Sequence, residues 1–203
     1  MSVNYIWAGA GTPTSIWVRG SVNGASVRLA VADNDAMNGP QYYGPVTPTG
    51  QGIASVEADG LEPNTRYWYA FEVDGTIDTD FTGTFLTHPP LDGTPQSFVF
   101  GAAGDAGLPG TGDDSHISNF VSNNPVFDVM TRRALHEDWV QFCHLGDLHY
   151  RDIATNSLAA YRQAYHDTLT FNGTLGANAR QGVMLRSVPV SYVWDDHLAR
   201  LRS

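Results

Sequence analysis

Lysine is absent from these 203 residues, and all 11 basic side chains are arginines. Schiff-base chemistry and a P-loop lysine are excluded with it. Cysteine is nearly absent. The single Cys143 cannot close an internal disulfide and, inside an apolar run, it reads as a buried small hydrophobe. No run approaches the ~18 apolar residues of a membrane-spanning helix. The N-terminus lacks the basic and apolar regions of a secretory signal, which leaves localisation open. Positive charge is scarce as well. With 21 acidic residues the formal net charge is −10, a poor basis for holding nucleic acid through surface electrostatics. An anionic substrate is not excluded, because bound cations invert the local sign in a cleft.

What is present suits a globular chain with a real core: 42% of residues are hydrophobic and 16% charged. Residues 1–88 alternate short β-type runs with turns. The expected strands are Tyr5–Trp7, Ser15–Arg19, Ser26–Val31, Ile53–Val56, Tyr67–Val73 and Phe81–Phe85, punctuated by Asn23-Gly24, Asp59-Gly60 and Asp74-Gly75. This spacing predicts an antiparallel sandwich. Leu61, Pro63, Thr65 and Tyr67 stand at alternate positions before a central strand. The pattern resembles fibronectin type III domains, and the resemblance implies a corner tyrosine bonded back to the preceding loop. It speaks to fold, not function.

His88 to Pro95 carries three prolines and a glycine in eight residues, which neither helix nor sheet propagates. A linker is therefore expected over residues 89–96, with a second domain over 97–203. There the pattern changes to strand, loop, helix, strand. Helix is expected within 117–135, broken at Pro125, over 157–169, and ending a short piece at 183–185. The fold class expected is two-domain: an antiparallel β-sandwich of fibronectin type III or immunoglobulin type, then an incomplete α/β domain with a partly parallel sheet.

Three apolar runs in the second half, 98–101, 140–145 and 188–193, read as buried strands, and each ends in an acidic cluster. The clusters are Gly104-Asp105-Ala106-Gly107, Gly146-Asp147-Leu148-His149-Tyr150 and Trp194-Asp195-Asp196-His197. Ligands of open α/β sheets gather beyond the carboxyl ends of the strands, so the three point to one site. Taken singly, Asp105 is equally a turn or cap residue. His144 reads as a strand residue satisfied by a hydrogen bond, and His149 is undecided. Asp195, Asp196 and His197 side by side call for a cation or a cationic neighbour. Carboxylate, phenolate and imidazole donors suit divalent or trivalent metals.

The order Gly-Asp-x-Gly, Gly-Asp-x-x-Tyr, Asp-Asp-His is similar to the calcineurin-like metallophosphoesterases. Within them it looks most like the PhoD-type alkaline phosphatases, and its first two motifs also resemble purple acid phosphatases. The resemblance implies two-metal phosphoester hydrolysis by a phosphomonoesterase or phosphodiesterase. It carries Asp105 to the first metal, Asp147 to a bridging position, Tyr150 to iron, Asp195 or Asp196 to the second metal, and His197 to the substrate phosphoryl group as a catalytic residue. It implies iron at one site and calcium, zinc or manganese at the other. The partner implied is a small phosphate ester, a phospholipid or a teichoic-type phosphodiester, met outside the cytoplasm.

Ala103 stands where the PhoD-type pattern has an iron-binding Cys, and Leu198 where it has Glu. The later histidine motifs of the family do not occur, and six residues follow His197. On this reading the chain is the N-terminal half of such an enzyme, inactive alone, with a complementary chain or C-terminal half as its missing partner. Two other functions fit the residues. One is a non-catalytic adhesion or carbohydrate-binding module using Trp7, Trp17, Trp68, Tyr42 and Tyr43, although their alternating strand positions favour core packing. The other is a nuclease or sulfatase-like hydrolase built on the same carboxylates.

Overall fold

The structure is a computed structural model and describes residues 2–105, 125–149, 153, 157–170 and 180–195. Eleven strands and three helices follow one another among them. The first eight strands are β1 (Ser2–Gly9), β2 (Ile16–Asn23), β3 (Val27–Ala32), β4 (Gln41–Val46), β5 (Ile53–Ala58), β6 (Arg66–Val73), β7 (Thr76–Ile77) and β8 (Gly83–Leu86). They form two antiparallel sheets, one ordered β1-β2-β5 and one ordered β4-β3-β6-β7 with β8 also paired to β6. Val18, Val56, Leu29, Phe71 and Phe85 fill the space between the sheets, as alternating apolar positions on facing strands require. The result is a β-sandwich, as the strand spacing predicted.

Two strands escaped the sequence reading. In β4, Tyr42, Tyr43, Gly44 and Pro45 break any alternation of apolar and polar residues, and its residues are half-buried or exposed at a sheet edge. Proline has no N–H for the ladder and is confined to such edges. The two-residue β7 is too short to carry a period. Residues 79–81 form a 3₁₀ turn, so the last sandwich strand starts at Gly83 rather than at Phe81.

Tyr67 closes the corner before β6, where its hydroxyl oxygen accepts a hydrogen bond from the Glu62 backbone N–H at 3.0 Å.

Beyond the proline-rich stretch come β9 (Val99–Ala103), α1 (Val126–His136), β10 (Trp139–His144), α2 (Leu158–Thr170), α3 (Arg180–Arg186) and β11 (Val190–Tyr192). The three strands form a parallel sheet with β10 in the centre. Pro125 stands at the N-cap of α1, a place where a missing N–H costs nothing. The helix expected before it falls on residues 117–124, outside the described residues.

One face of this sheet packs against the helices through Phe142, Val188, Leu169, Met184 and Leu185. The other face corrects an expectation. Phe98, Val99 and Phe100 are 60%, 43% and 56% exposed, so the run around β9 is not a buried strand. Hydrophobic sequence fixes which residues can be buried, not whether a layer arrives to bury them. The proline-rich stretch instead walls an apolar groove of about 750 Å³ on that side, and Cys143 opens into it half-buried rather than fully buried.

Strand β1 joins the two parts. Val3, Ile6 and Ala8 point into the sandwich core, while Tyr5 and Trp7 pack into the helix-and-sheet core. A register shift between Val3 and Tyr5 followed by period-two alternation over residues 5–8 serves two interiors from one strand. The Arg186 carbonyl accepts the Tyr69 hydroxyl proton at 3.1 Å, and Arg66 pairs with Asp138 at 2.7 Å. Gly9 lets the Val190 carbonyl approach, since a Cβ there would stand 2.7 Å from that oxygen.

Candidate metal centre

The parallel register places the carboxyl ends of all three strands level: His144 of β10 lies opposite Ala103 of β9 and Tyr192 of β11. The first aspartate of each acidic cluster, Asp105, Asp147 and Asp195, comes two to three residues later on each strand. Leu145 N–H donates to the Ala103 carbonyl at 2.8 Å and Val193 N–H to the His144 carbonyl at 3.1 Å, which extends the ladder past the strand ends. Asp105 N–H then donates to the Gly146 carbonyl at 3.1 Å, tying the first loop to the second. The third loop reaches the same point. A Cβ at Gly146 would lie 2.6 Å from Asp195 Oδ2, so the carboxylate of Asp195 rests where a side chain would be. Asp105, Asp147 and Asp195 are therefore brought to one edge of the sheet.

The backbone is unusual at this edge. Asp105 and Asp147 have φ of 50° and 49°, and Gly146 has φ of 122°. A non-glycine residue in the left-handed region costs about 1 kcal/mol or more and persists where its surroundings hold it. The loop after β10 is well held. Leu148 is buried, and its carbonyl accepts a hydrogen bond from Gln181 Nε2 of α3 at 3.2 Å. His149 is buried with its ring edge-on to Tyr165 of α2 at 5.2 Å.

Beneath the carboxylates lies an aromatic and imidazole layer. The hydroxyls of Tyr165 and Tyr192 share a hydrogen bond of 2.6 Å. Burial comes first in pushing the Tyr192 phenol well above its ordinary range; its bond to Tyr165 and the charge on Asp147 add to the effect. That last cause places the buried Asp147 carboxylate within electrostatic reach of the Tyr192 hydroxyl. His144 is buried, and its Nδ1 makes no hydrogen bond among the described residues, contrary to the sequence expectation. Burial lowers its pKa to about 4, against a smaller opposing pull from Asp105, so the ring is neutral near pH 7.

These donors are hard oxygens, the chemistry that suits calcium, manganese or ferric ions. Among the described residues, no three His, Cys, Asp or Glu side chains are grouped so as to hold a metal ion. Tyr150, Asp196 and His197, the other candidate site residues, lie outside the described residues. Gln181, Tyr165 and Tyr192 bear on the site and were missed by sequence reading. Tyr165 and Gln181 stand among other polar residues on α2 and α3, so periodicity does not single them out.

The aromatics proposed for glycan contact do not share a face. Trp7 and Trp17 belong to β1 and β2, whereas Trp68, Tyr42 and Tyr43 belong to the opposite sheet. Trp7 and Tyr43 are engaged in packing, and Tyr42 lies under the Arg28 guanidinium at 4.2 Å.

No protein-family model matches this chain, and no curated protein sequence matches it. Among solved structures it is similar to PhoD, with a TM-score of 0.62 and 17% identity over 96% of this chain and 38% of PhoD. The chain thus spans less than two fifths of that protein's length, and the likeness is one of fold. The sensor domain of the anti-sigma factor RsgI4 of Pseudobacteroides cellulosolvens matches 48% of this chain and 100% of the domain, at a TM-score of 0.37 and 21% identity.

Proposed function

We propose that this chain forms part of a metal-dependent phosphoester hydrolase, a phosphomonoesterase or phosphodiesterase of the PhoD type. The observation that carries the reading is the junction of three strand-end loops, with Asp105 N–H on the Gly146 carbonyl and the Asp195 carboxylate against Gly146. The PhoD-like fold over nearly the whole chain supports it. Residues 1–88 would be the fibronectin type III-like domain, a division the Tyr67 corner bond supports. Residues 89–96 would be the linker and 97–203 part of the metallophosphoesterase domain.

In this reading Asp105, Asp147, Tyr150, Asp195 and Asp196 would hold two metal ions, iron at one position and calcium, zinc or manganese at the other. When bound, such ions neutralise phosphoryl charge and make water acidic enough to act near neutral pH. The chain's own residues supply the rest. Asp147 stands in a buried, left-handed loop that fixes its carboxylate, and neutral His144 adds no competing positive charge beneath it. His197 orients the phosphoryl group or protonates the leaving oxygen, a role worth about 10²–10⁴-fold. The substrate would be a small phosphate ester, a phospholipid or a teichoic-type phosphodiester.

The test is release of nitrophenol from nitrophenyl phosphate by the polypeptide of the complete reading frame, with and without a chelator. Activity lost in the chelator and in Asp147→Asn is the expected result. Undiminished turnover by Asp147→Asn would remove the bridging ligand and the reading with it.

A further inference from the structure

A second feature adjoins the three loops. A pocket of about 210 Å³ lies between the sandwich and the parallel sheet, lined by Trp7, Arg19, Leu148, Leu185, Val190 and Tyr192. Trp7 and Arg19 stand opposite each other on β1 and β2. Leu148 directly follows Asp147, and Tyr192 is the residue whose hydroxyl feels the Asp147 charge. Leu148 and Tyr192 thus bring into the lining the loop after β10 and the strand β11 that lead to the candidate metal centre, while Trp7 and Arg19 come from the sandwich.

Its charge is what sets it apart. Arg28, Arg66, Arg133 and Arg180 each pair with a carboxylate. Arg19, like Arg132 and Arg162, makes no ion pair among the described residues, in a chain with 21 acidic groups to 11 arginines. Glu57, diagonal to it on β5, makes none with it. Among the described residues, the Arg19 guanidinium lies against the Trp17 ring, at 5.6 Å from its centroid. A second cation, Arg162 of α2, acts electrostatically on Tyr5, whose ring lies 6.2 Å from that of Trp7. The walls are otherwise apolar, so the pocket offers a ring-sized apolar slot closed by a guanidinium fork that matches an oxyanion. Its volume falls below the ~300 Å³ where drug-sized ligand sites begin, which restricts the occupant to a small group.

We propose that this pocket is a subsite for the organic half of a phosphoester substrate, taking a small ring or short chain that carries its own oxyanion. The proposal rests on the hydrolase reading for the other half of that substrate. Arg19 binds the distal oxyanion, Trp7 flanks the ring, and the phosphoryl group extends past Leu148 toward Asp147.

Three non-hydrolysable probes test it on the 203-residue chain: phenylphosphonate, 4-phosphonobenzoate and 1,4-benzenediphosphonate. Binding is followed through the Trp7 indole N–H and Arg19 Nε–H resonances. The two probes with a distal oxyanion should bind about two- to fivefold tighter than phenylphosphonate, the scale of one exposed ion pair. Arg19→Gln should bring them down to the phenylphosphonate level, and the stronger of the two identifies the oxyanion as carboxylate or phosphate. Equal affinity of all three probes, or dissociation constants unchanged by Arg19→Gln, would overturn the subsite. Neither result touches the hydrolase reading, which stands or falls on Asp147→Asn.

Discussion

Asp195 occupies the space that a side chain at residue 146 would need. A Cβ on Gly146 would come within 2.6 Å of Asp195 Oδ2 and 2.7 Å of its Cβ, at a φ of 122° that only glycine adopts freely. Gly146→Ala should therefore lower stability by about 1–3 kcal/mol and displace the third acidic loop. Urea midpoints measure the first effect. Titration with manganese measures the second and should show at least tenfold weaker binding, as expected when a supporting contact of a metal site is lost.

The Tyr165–Tyr192 hydroxyl pair should behave as a coupled unit. Removing one hydroxyl orphans the other, so Tyr165→Phe and Tyr192→Phe should each cost about 1–2 kcal/mol. The double variant should cost less than the sum, because neither hydroxyl is then left buried without its partner. A denaturation cycle over the four proteins gives the coupling; strict additivity would mean that the bond contributes nothing.

Acid should weaken the fold through His144. Its folded pKa of about 4 lies below the ordinary 6.5, so the unfolded chain takes up the proton first as pH falls. The contribution is complete above pH 6.5 and disappears between 6.5 and 4, amounting to at most about 3 kcal/mol. Urea midpoints at pH 7 and 4.5 in chelator should differ accordingly. His144→Leu, which cannot titrate, should narrow that difference.

Tyr67→Phe should cost about 1 kcal/mol by leaving the Glu62 N–H without its acceptor. Thermal melts of the two proteins check this. A change below the noise of the melt would strip the corner of its structural role.

Much of this was legible in the sequence. Alternation gave the sandwich strands wherever one face was apolar, and it failed at β4, where Gly44 and Pro45 interrupt it. Asp105, Asp147 and Asp195 were legible as a group because a parallel sheet aligns its carboxyl ends whatever the intervening chain does. What joins them was not. The bond from Gln181 to the Leu148 carbonyl spans 33 residues, and that from Tyr69 to the Arg186 carbonyl spans 117. No local pattern encodes a contact made only after three layers have packed. The exposure of Phe98 and Phe100 was hidden for the converse reason: a run of apolar residues records an appetite for burial and says nothing of supply.

The two-faced strand β1 has a consequence for anyone dividing this protein. Severed at the proline-rich stretch, residues 1–88 would carry Tyr5 and Trp7 into water as a greasy stripe, and the remainder would lose a wall of its interior. Neither piece would be the isolated counterpart of what it was in the whole. Intact, the molecule should melt as a single event, with the sandwich and the parallel sheet surrendering together.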